Sequence, residues 1–354
     1  MPSPLPTPLR EAAMPSQPLD ASVLTIDCAA EAERIATRLR DVIGRQFRRR
    51  GAVVALSGGV DSSVCGALAA LALGPSKVFG LLLPERETSP RGMELGRRVA
   101  EQLGIEYQTH DLTPVLEAIG CYDQRDEAIR RVFPEYRKDW KNKLVIAGGL
   151  SGQFTFFKLV VQAPDGRTFC ERIPHLEYLQ IVAAQNYKQR IRKTVEYYHA
   201  DRLNYVVVGT PNRLEYDQGF FVKNGDGSAD VKPIAHLYKT QIYAMARHLG
   251  LPEEICASRP TSDTYSLPQG QDEFFFALPC DQVDLALWAH DHRFPHAALA
   301  YALGVSGELA ERIYRDIEAK RRAGAYLHTP PVLFDTCPPG VATPTLSARG
   351  SPHA

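Results

Sequence analysis

What the chain does without narrows it first. None of its seven cysteines (28, 65, 121, 170, 256, 280 and 337) forms a C-x-x-C pair or falls at metal-ligand spacing. Neither a zinc site nor a disulfide framework is expected, and the thiols read as free groups in a reducing cytoplasm. No apolar run reaches the ~18 residues of a membrane helix. The N-terminus lacks the charged start and the apolar stretch of a signal peptide. Neither sign of charge dominates, with 41 Lys and Arg against 41 Asp and Glu. Partnership with nucleic acid or membrane is therefore not expected. Two common phosphate-binding strings are also missing. No G-x-x-x-x-G-K-[ST] occurs, and Gly58-Gly59 does not fit G-x-G-x-x-G.

What is present is an alternation of strands and helices. The 354 residues are 44% hydrophobic, enough for one large core. Residues 1–22 and 336–354 are rich in proline, serine and other small residues and read as disordered tails around a domain spanning 23–335. Apolar spacing predicts a helix over 28–48, then a buried strand at Val53-Val54-Ala55-Leu56 and a helix over 64–73. Strands at 77–83 and 107–110 flank a helix over 91–103. A helix over 189–203 leads to a strand at 205–208. Such alternation predicts an α/β fold, a doubly wound parallel sheet of Rossmann-like type, with a helical C-terminal part. Residues 121–180 break the pattern, and Pro164-Asp165-Gly166 between Val160-Val161 and Thr168-Phe169-Cys170 predicts an inserted β-hairpin.

The chemistry concentrates at Ser57-Gly58-Gly59-Val60-Asp61-Ser62-Ser63. A strand that turns through two glycines into a helix start can hold an anion, because backbone N–H groups approach it closely. Three hydroxyls add donors. Asp61 suits such a loop only if a divalent cation stands between it and phosphate. A second block, 209–239, carries Glu215, Asp226, Asp230, Lys223 and Lys239. Residues 258–273 hold proline, serine and glycine without apolar periodicity and read as a lid. The His290-Asp291-His292 cluster reads as surface, because no further ligand set accompanies it.

The loop resembles the pyrophosphate loop of the ATP pyrophosphatases, whose fold is that of the adenine nucleotide alpha hydrolases. The second block is similar to NAD synthetases. It carries, in the family's order, Gly209-Thr210, Glu215, Gly219-Phe220-Phe221, Lys223, Gly225-Asp226-Gly227, Asp230, Pro233-Ile234 and Lys239-Thr240-Gln241. Asn186 to Arg192, Pro260-Thr261-Ser262-Asp263 and Gln271-Asp272-Glu273 match further family segments. The resemblance implies that ATP adenylates the nicotinate carboxylate of deamido-NAD, pyrophosphate leaves, and ammonia displaces AMP.

It also implies roles for particular residues. Ser57, Gly58, Gly59, Asp61, Ser62, Ser63, Thr210, Lys239 and Thr261 would meet ATP. Asp61 and Glu215 would hold Mg²⁺, and Asp61, Lys239 and Asp263 would serve catalysis. Asn186, Arg190, Phe220, Lys223, Asp226 and Asp230 would hold deamido-NAD. A homodimer is implied as well. Two departures stand out. The arginine that ammonia-using members offer on the second strand does not occur in Leu81-Leu82-Leu83-Pro84, so it is either missing or supplied by Arg86. The family's C-terminal His-Lys is replaced by Lys320-Arg321-Arg322. Only 56 residues precede Ser57, too few for a glutaminase domain, so ammonia is expected free or from a separate glutaminase. A paralogous ligase for another carboxylic acid is the competing expectation. A tRNA-thiolating enzyme would need paired cysteines and a basic face, and loss of turnover would sit badly with retention of Asp61, Glu215 and Lys239.

Overall fold

The valines at the heart of the sequence fix the central layer. The computed structural model describes residues 18–147, 156–259, 265–270, 275–276 and 278–334. Strands β1 (Ala52–Ala55), β2 (Val78–Leu82), β3 (Glu106–Thr109) and β7 (Val206–Val208) form a parallel sheet in the order β3-β2-β1-β7. Period-two alternation sends neighbouring side chains to opposite faces. Ala52, Val54, Val206 and Val208 therefore pack on one side, with helices α1 (Cys28–Arg40), α2 (Val60–Leu73), α3 (Pro90–Leu103) and α8 (Lys239–His248). Val53, Phe79, Leu81 and Val207 pack on the other, with α4 (Thr113–Ala118), α5 (Cys121–Val132) and α6 (His175–Leu203). Both faces are covered, as a doubly wound sheet requires.

The chain runs from β1 outward to β2 and β3, then returns to place β7 on the other side of β1. That reversal makes a topological switch point between β1 and β7. A crevice opens beyond the carboxyl ends of the strands there.

A second sheet, in the order β4-β5-β6, is antiparallel: β4 (Lys141–Ala147), β5 (Phe156–Gln162) and β6 (Thr168–Arg172). The expected hairpin is β5 and β6, and β4 extends it to three strands. Helix α5 and the start of α6 lie within the stretch that breaks the pattern in the sequence. Their buried faces mix apolar and charged groups: Cys121, Ala128, Ile129, Ile181 and Ala184 are buried beside Arg125, Asp126, Gln185 and Lys188, the last four each at most 3% exposed. Helix α1 continues through a π-helical turn, Asp41–Gln46, in place of one helix to 48.

Helices α10 (Cys280–Asp291), α11 (His296–Leu303) and α12 (Gly307–His328) form a separate helical core. Leu19 and Leu24 join it from the N-terminal side. Two short helices complete the set, α7 (Arg213–Gln218) and α9 (Glu253–Cys256). Among the described residues no helix is long and apolar enough to cross a membrane.

One buried histidine sets a pH dependence. His199 stacks on Phe79, meets His110 Nε2 at 3.0 Å and accepts from Arg202 Nε at 3.0 Å. Burial, then the Arg202 charge, lowers its pKa from 6.5 to about 4. The folded state thus binds this proton less readily than the unfolded chain. The associated stabilisation is full above about pH 6.5 and is lost as pH falls through 4. The melting temperature of His199→Gln is expected to fall less steeply than that of the parent between pH 6.5 and 4. Parallel curves for the two proteins would refute this.

Candidate active site

The crevice at the switch point is lined by the turn after β1 and the turn after β7. The first turn depends on a backbone that other residues avoid. Gly58 has φ +81°, and a Cβ there would stand 2.1 Å from Gly92 O on α3. Gly59 N-caps α2 without a side chain in the way. The hydroxyls are held by contacts within the turn itself. Ser62 Oγ and Ser63 Oγ donate to Gly59 O at 3.0 and 2.8 Å. Ser57 Oγ lies 3.1 Å from Ser62 Oγ and accepts from Gly59 N at 3.3 Å. Helix α2 adds its N-terminal dipole to this cradle.

Asp61, in the first turn of α2, is the hub. Its Oδ2 pairs with Lys239 Nζ, and its Oδ1 accepts from Asn212 Nδ2 at 3.0 Å. Asn212 in turn N-caps α7. Its Oδ1 accepts from Glu215 N, and Glu215 Oε2 accepts from Asn212 N, both at 3.1 Å. This reciprocal capping box fixes Glu215 at the start of α7. Burial lowers the pKa of the Lys239 ammonium, but the Asp61 and Glu215 carboxylates outweigh burial and hold it above the ordinary lysine value. The thiol of Cys65, one turn into α2, is pushed well up by burial and then by the same two carboxylates. Two independent groups thus feel both carboxylates at once. Asp284 secures the lysine from behind, accepting from Lys239 N and Thr240 N at 3.1 and 2.7 Å. Burial pushes its pKa up to about 7.

The structure therefore brings together Ser57, Gly58, Gly59, Asp61, Ser62, Ser63, Glu215 and Lys239. Thr210 stands two residues past β7 at the same strand end. Thr261 and Asp263 lie outside the described residues. The second group of expected residues sits around α6 and the 219–230 turn. Arg190 Nε donates to Lys223 O at 3.4 Å. Lys223 Nζ donates to Tyr326 O and Thr329 O, each at 2.9 Å, at the C-terminal end of α12. Asp226 accepts from Val222 N at 2.8 Å, and burial raises its pKa. Asp230 accepts from Val207 N at 2.7 Å and so ties this turn to β7. Phe220 stacks on Phe275 with ring centroids 4.7 Å apart. Asn186 is half-buried on α6.

Other side chains named from the sequence are engaged structurally. Arg86 lies 3.7 Å over the Tyr122 ring and pairs with Glu117 at 3.6 Å. Arg321 forks onto Asp217 with two 2.7 Å bonds and reaches Asp291 at 2.6 Å, which locks α7 against α12 and α10. Asp291 of the His-Asp-His cluster is thereby spoken for, and His292 stacks on Trp288 at 3.8 Å. Sequence reasoning missed Asn212, Asp284 and the charged groups buried on α5 and α6. Asn212 did leave a signal, since Asn-x-x-Glu before an apolar position is a capping-box string.

A family model described as NAD synthase matches residues 31–135 and 158–323. The unmatched stretch between them holds β4. A relative from Rhizobium rhizogenes named NH(3)-dependent NAD(+) synthetase is 52% identical over 316 residues, covering 89% of this chain and 95% of its own length. One of the same name from Thermotoga maritima is 35% identical over 245 residues, covering 68% and 80%. Among solved structures, the NH3-dependent NAD synthetase of Campylobacter jejuni aligns with TM-score 0.57 at 20% identity, covering 88% of this chain and all of that one. An NMN synthetase from Francisella tularensis aligns with TM-score 0.58 at 20% identity, covering 87% and 99%. At that identity both likenesses speak to the fold.

Proposed function

The chain belongs to the NAD synthase family, and from that membership we propose how its residues carry out ATP-dependent amidation of deamido-NAD. One observation carries the reading. The pyrophosphate loop and the Asp61–Lys239–Asn212–Glu215 cluster meet at the switch point of the sheet, where α/β folds bind nucleotides.

The chemistry asks for charge control more than for a nucleophilic side chain. A carboxylate cannot expel oxide when ammonia attacks. Its oxygen first attacks the α-phosphorus of ATP, and the bond to the bridging oxygen breaks with pyrophosphate leaving. Ammonia then attacks the acyl carbon, AMP leaves with the bonding pair, and the nitrogen sheds a proton. In this reading Gly58, Gly59 and the hydroxyls of Ser57, Ser62 and Ser63 hold the departing pyrophosphate. Lys239 places a permanent positive charge beside it. Thr210 and Thr261 also serve ATP, and Asp263 stands by the incoming ammonia. Asn186, Arg190, Phe220, Lys223, Asp226 and Asp230 serve the deamido-NAD side.

Asp61 and Glu215 are the donors we assign to Mg²⁺. They are hard oxygen ligands around one lysine, and two carboxylates leave the remaining positions to phosphate oxygens and water. When bound, that ion would screen the negative charge of the phosphates. Ammonia arrives free or from a separate glutaminase. We place the protein in the cytoplasm as a homodimer. Leu176 at 74%, Leu179 at 47% and Tyr198 at 62% are exposed apolar side chains on α6 that a partner copy would cover. A monomeric mass by light scattering at micromolar concentration would refute the dimer.

Purified protein supplied with ATP, Mg²⁺, ammonium and deamido-NAD should release NAD and AMP in equal amounts. AMP formed with a different carboxylic acid, and no NAD, would assign the chain to a paralogous ligase instead.

A further inference from the structure

In the second sheet, β6 is an edge strand that pairs with β5 alone. At the two ends of that pair, Ala163 N donates to Arg167 O at 2.9 Å and Ile173 N to Phe157 O at 3.2 Å. In an antiparallel ladder the inward bonds fall on every second residue. Here they fall on the odd-numbered residues of β6. The N–H and C=O groups of Thr168, Cys170 and Arg172 therefore point outward, and among the described residues no strand pairs with them. Such an edge is a template for an added strand.

The two faces of the sheet differ in charge. Leu144, Leu159 and Val161 point into a core with Ile129 and Ile181. The register puts Lys141, Gln162 and Thr168 in one row on the opposite face, Lys143, Val160 and Cys170 in the next, and Val145, Lys158 and Arg172 in the third. These rows hold four cations and no carboxylate. Lys143 Nζ donates to Pro268 O at 3.2 Å. Arg172 stands 5.2 Å over the Phe156 ring, and among the described residues no carboxylate pairs with Lys141, Lys158 or Arg172. Beside the β6 edge lies a cleft of about 740 Å³, reaching the turn after α5. Phe133, Phe169 and Pro174 line it, together with Glu135, Glu171 and Arg172.

We propose that the β6 edge is a docking site for an extended acidic segment of another protein, which adds to the sheet as a further strand. The backbone of that segment bonds to Thr168, Cys170 and Arg172. Successive side chains of a strand point to opposite faces. Every second residue of the segment then lies on the face of Arg172 and Lys158, where carboxylates are favoured. The alternate residues enter the cleft, where apolar groups meet Phe133 and Phe169 and carboxylates would meet Glu135 and Glu171. The recognised pattern is alternation of acidic and apolar residues. A second copy of this chain suits the edge poorly, because pairing β6 with β6 would join two cationic faces into one.

The probe is a fluorescein-labelled peptide of about nine residues alternating glutamate with valine, titrated with the full chain and read by fluorescence anisotropy. Saturable binding that weakens as salt rises is expected. A peptide of the same composition with its glutamates in one block should bind at least about tenfold more weakly, since it cannot keep carboxylates on one face. Cys170→Pro removes the central outward N–H and leaves the ladder to β5 intact, as an edge strand permits. It should weaken binding by about tenfold or more, while Cys170→Ser retains it. The double variant Lys158→Glu/Arg172→Glu should lose the glutamate peptide and gain one with lysine in its place. If Cys170→Pro unfolds the hairpin, the charge-reversed variant decides. Absence of binding, equal binding of the blocked peptide, or parent-like binding by the charge-reversed variant would overturn the proposal. Tighter binding of oligothymidylate or of phosphatidylserine vesicles than of the peptide would overturn it in favour of nucleic acid or membrane. Self-association that Cys170→Pro abolishes would make a second copy the occupant instead. None of these residues belongs to the adenylation site, so NAD formation should match the parent's in each variant and the docking result stands apart from the functional reading.

Discussion

Lys239→Met should lower kcat/KM for NAD formation by about 10²–10³-fold, the loss seen when one preorganised charge is removed from a transition-state site. The lysine is 2% exposed and its charge is held by Asp61. Methionine keeps most of the volume, so packing against α10 and α2 should survive. What disappears is a cation placed where pyrophosphate accumulates negative charge. Asp61, left beside only Asn212, would then be a nearly buried carboxylate with its principal partner gone. That adds a stability loss of about 3 kcal/mol or less, since Asp61 keeps some contact with water. The double variant Asp61→Asn/Lys239→Met should be more stable than Lys239→Met alone, because it removes the orphaned charge. Additive losses would show that the pair is not coupled. Asp61→Ala alone should abolish pyrophosphate release, and unchanged release would remove Asp61 from the metal and phosphate roles.

Gly58→Ala is the second large effect, and it acts through the backbone alone. Two independent obstacles meet at this residue. The left-handed region costs an L-residue about 1–2 kcal/mol. The new methyl would also lie 2.1 Å from Gly92 O and 2.9 Å from Gly92 C, so backbone on α3 must move. Gly96, one turn on from Gly92, also packs close to the backbone, with Leu56 O 2.8 Å from its virtual Cβ, so α3 sits tightly against the end of β1 and the loop. The loop should shift by an ångström or so, costing about a hundredfold in kcat/KM for ATP. Gly74→Ala is the control. It has φ +82° at the far end of α2, but nothing lies within 4 Å of its virtual Cβ. It should lose a little stability and keep full activity. A Gly58→Ala enzyme with KM for ATP and kcat near the parent's would mean that phosphate is not held by this loop's backbone.

The legible parts of the fold are those where chemistry and backbone are local. Val53, Val54 and the glycines after them lie within a few residues of Asp61, so strand, turn and helix start appear together in one string. The hairpin at 164–166 is legible for the same reason, through its turn residues. Helix α5 and the start of α6 are harder to read, because buried charges interrupt their apolar faces. Arg125 and Lys188 satisfy Glu87 across elements far apart in the chain, beside buried Ile129 and Ile181. The strand β4 is hidden likewise, since part of its pairing comes from 265–270.

Within the site, the sequence by itself determined the residue types: an anion-binding turn, two carboxylates and a lysine, in an order that resembles one family. Tertiary structure alone decided how they act on one another. Lys239 and Asp61 are 178 residues apart, and only the return of the chain to the far side of β1 makes them neighbours. Asn212 acquires its role through that same return, as the bridge between the Asp61 carboxylate and the cap that fixes Glu215. Local strings set conformation through short-range sterics and hydrogen bonds. Which charges face each other depends on the order of strands in the sheet, and that is settled only when the whole core packs.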